Sequence, residues 1–233
     1  WNATVAGDEL VELDERLASG TLDRDAHDLW VRRLAMSANE VQQHLMELYP
    51  GGRVREPRFS DDRHLNGAAQ PVVGICWFEA RAFTRWMGAQ SGMPFHLPTE
   101  VIWEAAARGE AGREHPCGPS LGIEGGNTLD THIRRTSPVG VFPEGDTPSG
   151  VCDMSGNVFE WTSTAYGAVS GPERMRYPYV PTDGREAPDA TSDWPRVLRG
   201  GAWRYDVVMA RGATRFYAHA TTWTDTCGFR LAT

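Results

Sequence analysis

Arg196-Val-Leu-Arg-Gly-Gly-Ala-Trp203 and Cys227-Gly-Phe-Arg-Leu-Ala232 bracket the last stretch of the chain, and their reading decides the fold. The first predicts a short strand over 196–203 and the second another over 229–232. Between them, 204–226 is irregular and mixes aromatic, basic and small polar residues. Further upstream, strand-like pieces fall at 137–142 and 159–163 in a Gly-, Pro- and aromatic-rich half that begins near Glu110. Short strands separated by long loops do not build a doubly wound sheet.

The first half reads differently. Leu10, Leu13 and Leu17 recur at helical spacing, predicting an amphipathic helix over 9–18 that ends near Gly20. Residues 29–36 predict a strand, and Ser37 or Asn39 caps a helix running to Leu48, stopped by Pro50-Gly51-Gly52. A polar connection over 53–70 leads to a helix from Trp77 or Phe78 to Gln90, ended at Ser91-Gly92. Thr99 offers the N-cap of a third helix through Arg108, stopped by Gly109. Segment 167–192, rich in Pro, Gly and Arg, reads as a long surface loop.

Four further motifs occur in order: Gln70-Pro-Val-Val-Gly-Ile-Cys-Trp77, Glu79-Ala-Arg-Ala-Phe-Thr-Arg-Trp86, Leu97-Pro-Thr-Glu-Val-Ile-Trp-Glu104, and Asp153-Met-Ser-Gly-Asn-Val-Phe-Glu-Trp-Thr162. With the Arg-Gly-Gly-Ala-Trp and Gly-Phe-Arg endings, the chain resembles the formylglycine-generating-enzyme (sulfatase-modifying factor) family, a branch of the C-type-lectin-like folds. The resemblance implies an α+β fold with two or three helices on a small twisted antiparallel sheet and much irregular loop. It covers 25–233, leaving 1–24 as an N-terminal helical extension.

In that family the Asp153–Glu160 motif holds a structural calcium, which maps onto the Asp153 and Glu160 side chains and the Gly156 and Val158 carbonyls. Calcium takes six to eight hard oxygens, so a turn around Gly156 suits it. The alternative reading has Asp153 capping a turn and Glu160 paired with an arginine of this lysine-free chain. Asn127 matches the family's other calcium element, but Asp130-Thr131-His132 does not, and no site is assigned there.

Formylglycine-generating enzymes oxidise a substrate cysteine with two cysteines placed shortly after Arg-Gly-Gly-Ser-Trp, where soft thiolates hold Cu(I). Here Arg204-Tyr-Asp-Val-Val-Met-Ala210 follows Trp203 without a cysteine, so no copper is expected. Cys76, Cys117, Cys152 and Cys227 lie far apart and read as packing thiols. An iron-dependent branch of the superfamily uses a pair of histidines four residues apart. His27, His44, His64, His96, His115, His132 and His219 contain no such pair.

What remains is 204–226, where Arg204, Tyr205, Asp206, Val208, Thr214, Phe216, Tyr217, Ala218, His219, Trp223, Thr224, Asp225 and Thr226 are the candidate ligand contacts. Rigid aromatic and arginine anchors among small residues suit recognition; a solvated loop covering the sheet is the plainer reading. The layout also resembles variable proteins of diversity-generating retroelements, which vary residues inside a fixed Arg-Gly-Gly-x-Trp…Gly-Phe-Arg frame. The missing cysteine pair favours a non-catalytic module binding a protein or small molecule; an enzyme with a relocated active site is the alternative. Arg204, Tyr205, Asp206, Phe216, Tyr217, His219 and Thr224 are expected to share one exposed face, with Trp203 and Phe229 buried.

At 233 residues the chain can bury about 70% of its unfolded surface. A net charge of -8 argues against a nucleic-acid partner and an anionic membrane surface. No apolar run approaches the ~20 residues of a membrane span. The start at Trp1 lacks an initiator Met and a signal-peptide pattern, which reads as a processed product or a piece of a longer protein, with a cytoplasmic location favoured.

Overall fold

Among the described residues there are five helices, and four of them begin where the sequence offers a side chain to satisfy free backbone N–H groups. In the computed structural model, which describes residues 3–20, 22–48, 56–167, 175–187 and 194–233, α1 spans Ala3–Ala18, α2 Arg24–Leu34 and α3 Ala38–Leu48. Helices α4 (Trp77–Ser91) and α5 (Glu100–Arg108) follow after a long connection. Asp23 caps α2 by accepting from Ala26 N at 2.8 Å. At α3, Ser37 and Glu40 form a reciprocal box: Ser37 N donates to Glu40 Oε2 at 2.7 Å and Glu40 N to Ser37 Oγ at 3.3 Å. Glu79 reaches back to Cys76 N at 2.7 Å to start α4, and Thr99 Oγ1 accepts from Ile102 N to start α5.

The strand expected over 29–36 is a helix. Asp23, six positions upstream of Leu29, supplies the cap, Arg32 and Arg33 face the C-terminal end of the dipole, and α2 runs straight through Leu29 and Trp30. The stop expected at Pro50-Gly51-Gly52 lies outside the described residues.

By contact density the chain divides into Trp1–Arg55 and Glu56–Thr233. The expected boundary after Arg24 lies inside the first unit, where Asp14 of α1 meets His27 of α2 at 2.8 Å. Among the described side chains of this helical pair, Leu13 and His27 are the buried ones.

The second unit carries a four-stranded sheet: β1 (Phe159–Ala165), β2 (Arg196–Arg199), β3 (Phe216–Ala218) and β4 (Cys227–Phe229). The order is β3-β2-β1-β4. The α+β class holds, but the sheet is mixed, because β4 lies parallel to β1 with Phe159 opposite Cys227 and Trp161 opposite Phe229. β1 and β2 are antiparallel, with Glu160 opposite Arg199.

Strand β2 stops at Arg199 instead of reaching Trp203. Gly200 and Gly201 sit at φ +98 and +76, and a Cβ at 201 would stand 2.8 Å from the Ala210 Cα, so only glycine lets the chain turn there. The strand expected over 137–142 does not form. Ser137 N is taken by the Asn157 Oδ1 at 2.9 Å and the Asn157 Nδ2 returns to Ser137 O, so buried amides replace a ladder. Beyond β4, Ala232 makes only an isolated bridge to His96.

Four tryptophans are buried in the second unit and each finds an acceptor for its N–H, as a buried indole requires. Trp77 donates to Thr162 O at 2.9 Å, Trp161 to Ile75 O, Trp103 to Glu160 and Trp203 to Asp225 O. Trp203 is buried as expected, while Phe229 is half-buried with its ring edge on Phe83. Among the described residues no helix is long and apolar enough to cross a membrane.

His27 gives the first unit a pH dependence. Its Nε2 meets Asp14 and its Nδ1 meets Asp28 at 3.2 Å, and both nitrogens can donate only as imidazolium. The Asp14 bond, then the Asp28 bond, raise its pKa above the ordinary 6.5 against a smaller opposing effect of burial. The stabilisation is therefore complete below about pH 6.5 and is lost as pH rises through the raised value. Amide exchange in α1 and α2 should accelerate as pH climbs beyond that point, after correction for intrinsic rates, and His27→Gln should flatten the profile. A profile the variant leaves unchanged would remove His27 as the cause.

Candidate functional site

The motif arginines reach inward. Arg199, at the end of β2, is fully buried and donates through Nη2 to Glu104 Oε2 at 2.5 Å and Gly212 O at 3.0 Å. Its Nη1 donates to Ala213 O and Thr214 O at 3.1 and 2.8 Å. Arg215 grips the fully buried Glu100 with Nε at 2.6 Å and Nη2 at 2.9 Å. Arg230 grips Glu160 with Nε at 2.5 Å and Nη2 at 2.6 Å, and Trp103 Nε1 donates to the same carboxylate at 2.6 Å. Burial would raise the Glu104 carboxyl, but Arg199, Arg108 and Tyr177 outweigh it and hold the group below its usual range. The Tyr177 hydroxyl is pushed up to about 12 by burial and by the neighbouring Glu100 and Glu104.

Arg199 and Arg230 fix the chain on either side of 204–226 and Arg215 pins its middle, which leaves positions toward its two ends outward. Arg204, Asp206, Val208, His219 and Trp223 are exposed. Tyr205, Thr214, Phe216, Tyr217, Ala218, Thr224 and Asp225 are half-buried, and Thr226 is buried. Of the seven residues expected on one face, Tyr205 and Phe216 turn their rings onto Phe159 at 5.0 and 4.9 Å, and Tyr217 stacks on Tyr166 at 4.4 Å. Arg204, one of the exposed members, pairs with Asp225 and lies over the Trp203 ring at 4.6 Å. Thr224 bonds Thr226 at 3.0 Å. Asp206 caps the short 3-10 turn Val207–Ala210 by accepting from Met209 N.

Two neighbours of this segment had no signal in the sequence. Arg58, from the polar connection, sits 4.1 Å from the centre of the Trp223 ring, with Phe59 edge-on to the same ring. Arg108, Gly112 and Glu114 line a cavity with Arg211, Ala213 and Thr214. Both neighbours meet the segment only through the tertiary fold.

The residues expected to hold calcium have other partners. Both oxygens of Glu160 accept from Arg230, whose Nη2 also reaches Cys152 O and Asp153 O at 3.2 and 3.4 Å. Asp153 Oδ2 accepts from Gly140 N at 2.7 Å, and burial raises its carboxyl pKa. Asp153 and Asn157 adopt positive φ on either side of Gly156, which is itself at +83 and where a Cβ would also strike the Asn127 carbonyl at 2.4 Å. Val158 is buried beside Trp203. A guanidinium therefore occupies the turn, and as arranged these donors do not fit a calcium ion.

Among the described residues no group of three or more His, Cys, Asp or Glu side chains converges as a metal site. The thiols do not pair either. Cys227 is buried and burial lifts its pKa to about 11, Cys76 sits at the start of α4, Cys117 is exposed, and Cys152 donates to Asp146 at 3.3 Å.

A family model described as the sulfatase-modifying factor enzyme 1-like domain matches residues 8–233. The hercynine oxygenase of Mycolicibacterium smegmatis is 34% identical over 167 residues, covering 70% of this chain and 37% of that protein. The inactive C-alpha-formylglycine-generating enzyme 2 of Bos taurus is 31% identical over 181 residues, covering 70% of this chain and 50% of that one. Among solved structures, Treponema denticola variable protein 1 superposes with a TM-score of 0.54 at 19% identity, covering 77% of this chain and 73% of its own. That likeness establishes the shared C-type-lectin-like fold. The chain spans well under half the length of the hercynine oxygenase it matches. The expectation of a non-enzyme is corrected here: curated relatives carry the name of an oxygenase, and loss of one cysteine pair removes one chemistry without removing all.

The partner of Glu160 is open to titration. A calcium ion bound only by the folded state would stabilise by about 2.7 kcal/mol at a hundredfold excess over its Kd. With Arg230 in place, millimolar calcium should leave the melting temperature unchanged. A calcium-induced rise that Asp153→Ala with Glu160→Ala abolishes would instead put the ion in the turn and Arg230 outside it.

Proposed function

We propose, for a chain that belongs to the sulfatase-modifying factor enzyme 1-like domain family, an oxidoreductase role in which 204–226 contacts the substrate. The observation that carries this reading is the 34% identity to a hercynine oxygenase over 167 residues. The geometry supports it in one respect: pins at Arg199, Arg215 and Arg230 hold the frame while Arg204, Asp206, Val208, His219 and Trp223 face solvent, where they meet a substrate without disturbing the core.

Hercynine is the first substrate to offer, because the relative's name specifies it. Thiol oxidation by a copper-bound cysteine pair is not part of the reading, since no cysteine follows Trp203 before Cys227 and burial holds Cys227 protonated. A second reading draws on the same exposed positions: side chains in solvent tolerate many residue types, with effects typically within ~0.5 kcal/mol. That is what retroelement-driven variation of 204–226 requires. An Asn-rich near-copy of these codons beside a reverse transcriptase gene is the observation that tests it.

Oxygen uptake by the full gene product, measured with hercynine and separately with a Cys-x-Pro-x-Arg peptide, tests the enzyme reading. Hercynine-dependent uptake is expected, reduced about tenfold or more in Arg204→Ala/Trp223→Ala, since each loss of 1.4 kcal/mol of transition-state contact is tenfold. The peptide should remain unconverted with or without copper. Absence of uptake with hercynine, or copper-stimulated formylglycine formation, would contradict the reading.

A further inference from the structure

The cavity lined by Arg108, Gly112, Glu114, Arg211, Ala213 and Thr214 has a volume of 380 Å³, the size of a small-ligand site. It lies where the C-terminal end of α5 and the following turn meet the chain after the 3-10 turn Val207–Ala210. Its floor is held from two sides. Gly212 N donates to Glu114 O at 2.8 Å, and the buried Arg199 takes the Gly212, Ala213 and Thr214 carbonyls.

Arg108 forms a fixed wall. It donates through Nε to Arg113 O, through Nη1 to Glu104 and through Nη2 to Gly112 O, so its plane is set from three directions. It lies against Gly212 so closely that a Cβ there would stand 2.6 Å from its Cγ. The opposite groups are loose. Arg211 and Glu114 face each other at 3.8 Å, beyond hydrogen-bond length, with side chains 46% and 52% exposed. Arg211 donates through Nε to Val208 O at 3.2 Å, which orients the guanidinium beside the cavity.

We propose that this cavity binds a small zwitterion of the amino-acid class, its carboxylate on Arg211 and its ammonium on Glu114. The charges select that class. Arg108, Arg199 and Arg211 stand against two carboxylates, Glu104 and Glu114, and this excess of positive charge disfavours a simple cation. Glu114 on the same rim repels a dianion such as phosphate. A ligand carrying both signs a few ångströms apart satisfies the loosely paired Arg211 and Glu114 together, and the side chains are exposed enough to turn toward it. Charge-assisted bonds to a planar carboxylate are what the arginine fork makes well. Thr214 belongs to the segment assigned to substrate contact, so a substrate with an amino-acid head would have a place for that head. Binding is measured without turnover, so this inference stands or falls independently of the oxidoreductase reading.

The test is calorimetric titration of the full gene product with glycine, glutamate and histidine, beside succinate and inorganic phosphate, each up to about 10 mM, which reaches Kd values in the millimolar range. Saturable binding of at least one amino acid is expected, with amide shifts at Gly112, Ala213 and Thr214 locating it. Arg211→Gln should weaken that binding about tenfold or more, and Glu114→Gln should weaken the amino acid while leaving succinate no weaker. Both side chains are exposed, so both variants should melt with the parent; Ala213→Leu, which fills the cavity, serves as the second check and should abolish binding. No saturable binding by any of the three amino acids would overturn the proposal. So would amino-acid binding indifferent to all three variants, or phosphate binding as tightly as the amino acid.

Discussion

Glu100, Glu104 and Glu160 are carboxylates buried or nearly so in the second unit, and each is met by an arginine from the C-terminal stretch: Arg215, Arg199 and Arg230. A buried charge without a partner is costly, whereas a well-bonded pair roughly breaks even against an apolar pair. The pairs therefore specify position more than they add net stability. Arg199 can satisfy Glu104 only if β2 lies in its observed register opposite β1, and Arg230 can satisfy Glu160 only if β4 runs parallel beside that strand. The order β3-β2-β1-β4 follows from where these partners must end.

The same pins divide the C-terminal stretch into a frame and a window. Gly200 and Gly201 turn the chain sharply after Arg199, Trp203 plugs the underside with its N–H on Asp225 O, and Arg215 brings the chain back to α5. Between these points Arg204, Asp206 and Val208 have no structural duty in the core, and His219 and Trp223 extend the window after β3. Not all of the segment is free: Tyr205 and Phe216 are drawn onto Phe159 because the short β3 and the turn at Val207–Ala210 bring their rings over the sheet. A surface for substrate contact is thus narrower than the whole of 204–226, and it is the charged and outward positions that define it.

Much of this was legible in the chain and some was not, for identifiable reasons. The caps at Ser37 and Thr99, the glycine stops at Gly92 and Gly109, and the strand around Phe159 were visible because each is a local interaction between residues a few positions apart. Helix α2 was missed because its pattern was read from Leu29 and not from the Asp23 cap. The parallel β1–β4 pair was invisible because pairing across some seventy positions has no local signature. At the site, the Asp153–Glu160 motif was recognisable, but that Glu160 is held by Arg230 required the fold to place Gly228-Phe229-Arg230 beside it. The absence of a cysteine after Trp203 was plain in the sequence; the step from there to a non-enzyme was too long, because a lost cysteine pair speaks only to the chemistry that uses it.

The claim that buried arginine–carboxylate pairs set the frame is tested most directly at Glu100 and Arg215, where the carboxylate is fully buried and the grip bidentate. Urea unfolding of Glu100→Met, Arg215→Met and the double variant completes a cycle. Each single variant should lose about 3–5 kcal/mol by stranding a buried charge, and the double should lose clearly less than the sum. Single losses below about 1 kcal/mol that simply add would contradict the account, for they are what an exposed, dispensable ion pair gives.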